Sequence, residues 1–203
     1  VATELGLGLA DNGHDVHFIT YKRPVRLTAF HANVYFHEVT SMEYPLFEYT
    51  PYETSLASKL VDVVRFEKLD ILHVHYAIPH AAVAYMAKQI LKEQGINIPI
   101  ITTLHGTDIT LVGNDSSFAP VVEFSINQSD GVTAVSDHLR NETMTTFKLN
   151  KNIKVIHNFI DFSRFRKTNK DHFRKAISPD GEKILVHISN FRKVKRVEDV
   201  IHV

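Results

Sequence analysis

Residues 70–108 read DILHVHYAIPHAAVAYMAKQILKEQGINIPIITTLHGTD, and this stretch decides the fold. DILHVHY, 70–76, places His73 and His75 on one face of a short apolar strand, the two-residue period of extended chain. HAAVAYMAKQILKEQG, 80–95, then carries the spacing of a helix, and IPIITTLHG, 98–106, is apolar strand again. A strand, a covering helix and a second strand in this order predict a parallel pair. The second strand runs directly into His105, Gly106, Thr107 and Asp108. In an open α/β sheet, polar groups at a strand's carboxyl end stand where ligands bind.

The same alternation extends in both directions. Before it, a helix over 1–11 feeds the strand DVHFIT at 15–20. ANVYFHEV at 32–39 is a further strand, SMEYPLFEYTPYE at 41–53 an irregular connection, and 54–69 a helix. Beyond it come a helix around 118–130, strand GVTAVS at 131–136, helix DHLRNETMTTF at 137–147 and strand IKVIHNF at 153–159. Repetition of this kind predicts a mostly parallel sheet with helices on both faces. After NFIDFSRFRK the pattern changes. A polar span, a short helix at 171–177 and the turn SPDGEK lead to an apolar strand ILVHIS at 184–189 and a last helical segment. This predicts a first domain over 1–160, a connection over 161–182, and the opening strand and helix of a second domain over 183–203.

Composition narrows the function. The 203 residues are 44% hydrophobic, enough for a sizeable core, and 23 Lys and Arg balance 23 Asp and Glu. Zero formal charge gives no support to a nucleic-acid surface or a polybasic membrane anchor. Cysteine is absent, so disulfides and thiolate chemistry are excluded. No apolar run approaches the roughly 20 residues of a membrane span. A cytoplasmic protein is the simplest expectation. Thirteen histidines invite a metal site, yet His73, His75 and His80 have no nearby acidic residue to complete a ligand set. They read as hydrogen-bonded residues near a sheet end, and no metal is expected.

Three strand ends share one edge of a parallel sheet: Tyr76, then His105 to Asp108, then Ser136 and Asp137. Gly106 either lets backbone approach a ligand or makes a tight turn. Thr107 either donates to a bound oxygen or caps the next turn. Asp108 holds His105 in one tautomer, accepts from a sugar hydroxyl, or only caps; for Ser136 and Asp137 capping is the favoured reading. Together they describe a polar ligand site without naming a reaction.

ILHVHYAIPHAAVAY, TTLHGTDITLVG, VTAVSDHLRNET, KVIHNFID and ISNFRKVKRVEDV occur, in this order, along nearly the whole chain. In these segments the sequence resembles the GT-B-fold retaining glycosyltransferases of family 4. The resemblance implies Rossmann-like parallel-sheet domains, here most of the N-terminal acceptor-side domain and the start of the C-terminal nucleotide-sugar domain. It is tightest to the branch that opens bacillithiol biosynthesis. That branch implies UDP-N-acetylglucosamine as donor, L-malate as acceptor, retention of the alpha configuration, and no cofactor or metal. His105 falls on the family's strand-end histidine beside the donor sugar, and Tyr76 on the acceptor side. The phosphate-binding pair falls on Asn190 and Lys195. Asn190 departs from the usual Arg, and Arg192 is the alternative source of that charge.

Lys195 is reasonable on chemistry as well, since a cation near the leaving phosphates stabilises charge that grows in the transition state. The run FRKVKR also reads as a solvated surface. By the resemblance, a first strand and Gly-rich loop would precede Val1, and donor-holding acidic residues would follow Val203, so the 203 residues alone are expected to be inactive. The partners expected are small molecules, with monomer and homodimer both open. The competing readings are a family 4 enzyme with another small or lipid-linked acceptor and a noncatalytic nucleotide-sugar binder. A dinucleotide dehydrogenase would need a Gly-rich turn after its first strand, which no visible strand supplies.

Overall fold

A computed structural model of the chain describes every residue except 28, 29, 43, 111, 112, 114, 163 and 203. Two units are distinguished, Val1–Asn158 and Phe159–Val203.

The first unit alternates as its periodicity requires. It contains α1 (Ala2–Asp11), β1 (Val16–Thr20), β2 (Val34–Glu38), α2 (Tyr52–Glu67), β3 (Leu72–His75), α3 (Ala82–Glu93), β4 (Ile100–Leu104), α4 (Thr107–Thr110), α5 (Ala119–Gln128), β5 (Gly131–Ala134), α6 (Asp137–Thr146) and β6 (Ile153–Val155). Every strand pair is parallel, with His75 opposite Thr103 and Thr103 opposite Thr133. The pairs divide into two sheets, β1-β2 and β3-β4-β5-β6.

Burial explains the helices. In α2, Leu56, Ala57, Leu60, Val61 and Val64 form one buried stripe, and Val83, Ala84, Ala87 and Leu91 of α3 form another. These stripes pack with Leu72 and Ile100 of the sheet. A second core joins Val122 and Ile126 of α5 and Leu139 of α6 to Leu104, Val132 and Ala134. Each large aliphatic side chain so buried contributes about 1.5–3 kcal/mol. Gly6 lets α1 lie on β1, where a Cβ would collide with the Phe18 ring.

The four-stranded sheet departs from the expectation of two covered faces. Leu72, Ile100, Thr102, Leu104, Val132 and Ala134 are buried on one face, whereas His73 is exposed and His75, Thr103 and Thr133 are half-buried on the other. The strands lie in sequence order, and α3, α5 and α6 all pack against the same buried face. Among the described residues the less buried face is the polar one.

The second unit holds α7 (Asp171–Ile177), a 3-10 turn at Lys193–Lys195 and α8 (Val197–His202). The strand expected over 184–189 does not form, and Leu185, Val186 and Ile188 are exposed. A strand is defined by its hydrogen-bonded neighbour, and no described residue pairs with this segment.

Candidate functional site at the strand ends

β3 and β4 are adjacent, so their carboxyl ends deliver two loops to one place. The first loop begins at Tyr76, whose N–H extends the ladder to the Thr103 carbonyl at 2.9 Å. Tyr76 has φ +78°, a conformation that costs a bulky side chain about 1–3 kcal/mol and persists only where neighbours enforce it. The segment Ala77–Ala81 follows, with Ile78 extended at φ −128° and ψ 145° before a cis bond to Pro79, and leads into α3. The second loop is His105-Gly106, closed at once by α4. Gly106 has φ +120°, a conformation that favours glycine, with open space where a Cβ would stand.

Asp108 binds the loops to each other. The residue is 3% exposed. It accepts from the Ala77 N–H at 2.9 Å, the Gly106 N–H at 3.0 Å and the His105 N–H at 3.3 Å. The sequence left Asp108 three readings; the structure gives it three backbone donors, one of them across the sheet edge beside the strained Tyr76.

Above this clamp lies a run of rings. His75 Nδ1 and His105 Nε2 share a hydrogen bond of 2.8 Å, and the Tyr76 ring lies 5.0 Å from that of His105. His73 stacks on His75 at 4.9 Å and shares a 2.8 Å hydrogen bond with Thr103, which bonds Thr133 in turn at 2.8 Å. His80 donates from Nδ1 to the His75 carbonyl at 2.6 Å. Burial, then the neighbouring His73 and His105, push the His75 imidazole down to about 3. Burial also lowers His105, opposed by the charge of Asp108. Both rings are therefore neutral near pH 7, and the shared bond leaves Nδ1 of His105 as the nitrogen available to a ligand.

The other sequence candidates are placed as follows. Thr107 is exposed at the start of α4. Ser136 caps α6, accepting from the Leu139 N–H at 3.2 Å, while Asp137 pairs with Arg140 at 3.1 Å. Asn190, Arg192 and Lys195 are exposed within the second unit, where the Lys195 N–H donates to the Arg192 carbonyl at 2.8 Å. Sequence reasoning passed over His75 as a site residue; its every-second-residue spacing with His73, aimed at the His105 strand end, was the available signal. An open groove of about 520 Å³ between α3 and α5, lined by Tyr85, Met86, Ile90, Val121 and Phe124, shares no residue with these loops.

The chain belongs to glycosyltransferase family 4, whose family model matches residues 1–164. It is 54% identical, over 202 residues, to N-acetyl-alpha-D-glucosaminyl L-malate synthase of Bacillus anthracis. That match covers 99% of this chain and 52% of the relative, so the chain spans about half of that protein's length. An uncharacterized glycosyltransferase of Methanocaldococcus jannaschii is 29% identical over 104 residues, 49% of this chain and 26% of that protein. Sucrose-phosphate synthase from Thermosynechococcus elongatus matches with TM-score 0.74 at 14% identity, over 99% of this chain and 52% of that one. The fold is thus the α/β architecture of GT-B glycosyltransferases. No helix among the described residues is long and apolar enough to cross a membrane.

Proposed function

We propose that this chain is part of a retaining glycosyltransferase that moves N-acetylglucosamine from UDP-N-acetylglucosamine to the hydroxyl of L-malate, the first step of bacillithiol biosynthesis in the cytoplasm. The observation that carries this reading is the 54% identity to a protein named for that product, in a chain whose strand ends bring Tyr76 and His105 together. Residues 1–160 then form the acceptor-side domain and 183–203 open the nucleotide-sugar domain, joined through 161–182.

In this reading His105 offers Nδ1 to the donor sugar beside the reacting carbon and supports the charge that develops there. A neutral imidazole suits the role, since it can donate or accept without repelling an oxocarbenium-like centre. Tyr76 and Thr107 face the acceptor, Asp108 holds the two loops in register, and Ser136 orders the next loop through its cap. Lys195, with Arg192 in place of the Arg that Asn190 lacks, balances charge on the departing UDP. The transfer uses no bound cofactor or metal.

The test is a product assay with the full-length protein, UDP-N-acetylglucosamine and a panel of hydroxy acids. The expected outcome is alpha-linked N-acetylglucosaminyl malate formed faster than any other product. Transfer to a different acceptor, or donor binding with no transfer at all, would replace this reading.

A further inference from the structure

His17 and His37 lie outside the strand-end loops, on the β1-β2 sheet. Their register, His17 opposite Tyr35 and Ile19 opposite His37, makes them diagonal neighbours on one face of a parallel pair. His17 Nδ1 is 2.9 Å from His37 Nε2, and the rings stack at 5.1 Å. The last residue of α2, Glu67, joins them. Each of the three offers one ligand atom, and these atoms all lie within 4.8 Å of one another.

We propose that His17, His37 and Glu67 form a binding site for a divalent transition-metal cation of the zinc class. Two imidazoles and a carboxylate make the ligand set that leaves room for water around Zn²⁺, and imidazole nitrogen favours this class over Mg²⁺ or Ca²⁺. Two ligands about 2.0–2.1 Å from a tetrahedral Zn²⁺ stand about 3.3–3.4 Å apart, so the rings need open by only about 0.5 Å. Both histidines are half-buried and packed, His17 also against Tyr35 at 4.6 Å, which fixes their orientation before any ion arrives. The ring that donates in the shared hydrogen bond transfers its proton to its own second nitrogen as the cation enters, and no net proton is lost. Glu67 is exposed at the helix end, with its ligand oxygen within 4.8 Å of both imidazole nitrogens. Bound metal would tie α2 to the two-stranded sheet, a role separate from sugar transfer.

The experiment titrates the metal-stripped full chain with Co²⁺, whose ligand-field bands report coordination number, followed by Zn²⁺ as competitor. One equivalent of four-coordinate Co²⁺ is expected, displaced by Zn²⁺, with a thermal midpoint raised by about 5–10 °C at a hundredfold excess over Kd. His17→Ala, His37→Ala and the exposed Glu67→Gln each weaken binding at least about tenfold, while His75→Ala leaves it unchanged. Circular dichroism of each variant separates lost ligands from lost fold, and Glu67→Gln alters no packed side chain. The absence of stoichiometric binding at millimolar metal would overturn the site, as would binding abolished by His75→Ala and retained in all three variants.

Discussion

His75 Nδ1 lies 2.8 Å from His105 Nε2, so the ring proposed to face the sugar is held by a ring from the neighbouring strand. The first prediction follows from this pair. In the full-length enzyme, His105→Ala should slow single-turnover transfer by about 2–4 kcal/mol in activation free energy while leaving UDP affinity near its original value. His75→Ala should lower the same rate by a smaller factor, because His105 keeps its nitrogen and loses only its orientation. A folded His105→Ala protein with an unchanged rate would remove His105 from the chemistry, and His75 with it.

Asp108 yields a stability prediction. Three backbone N–H groups converge on its buried carboxylate. Asp108→Ala strands all three, and Asp108→Asn turns an amide NH2 toward donors. Each substitution should cost about 2–4 kcal/mol, read as a lower urea midpoint at unchanged slope. The Tyr76 backbone should relax from positive φ at the same time, since the neighbouring Ala77 N–H loses its anchor. An Asn variant as stable as the original would mean that the carboxylate is not the fastening it resembles.

The sequence carried the alternation of elements well because each strand and helix buries its own stripe; the Leu56-Leu60-Val64 spacing of α2 is sufficient for that. It carried the meeting of Tyr76 with His105 because parallel strands share an edge. What it could not carry depends on contact at a distance. Asp108 reads as a local cap until the Ala77 N–H, 31 positions away, is seen to reach it. His17, His37 and Glu67 stand 20 and 30 residues apart, a spacing that no short metal motif contains. ILVHIS has a strand's composition and no neighbour among the described residues to pair with.

A third prediction concerns pH. His75, pushed down to about 3 by burial and its neighbours, and His105, lowered by burial, bind protons more weakly folded than unfolded. Between pH 6.5 and the folded value the unfolded chain holds more protons, so stability rises with pH across this window. The contribution is fully present above about pH 6.5 and drains away as pH falls toward 3. Urea midpoints should therefore drop from pH 7 to pH 5, and His75→Asn, which cannot titrate, should show a shallower slope. Parallel curves for the two proteins would show that His75 is not the proton-linked group.

The last prediction separates donor affinity from transition-state stabilisation at the basic run of the second unit. Lys195 and Arg192 are both exposed, joined by one backbone hydrogen bond, and either can meet a phosphate. If Lys195 contacts the departing UDP, Lys195→Ala weakens donor binding and slows transfer as well, because phosphate is charged before the reaction and gains charge during it. Arg192→Ala should then affect binding more than rate, as expected of a cation that steers the donor from a greater distance. Steering weakens as salt rises, so the Arg192→Ala defect should shrink at high ionic strength while the Lys195→Ala defect in rate persists. Isothermal titration with UDP and single-turnover transfer, each at low and high salt, measure both quantities on the same preparations. Unchanged affinity and rate in Lys195→Ala would remove Lys195 from the phosphate site, and the reverse ordering of the two variants would assign the clamp to Arg192.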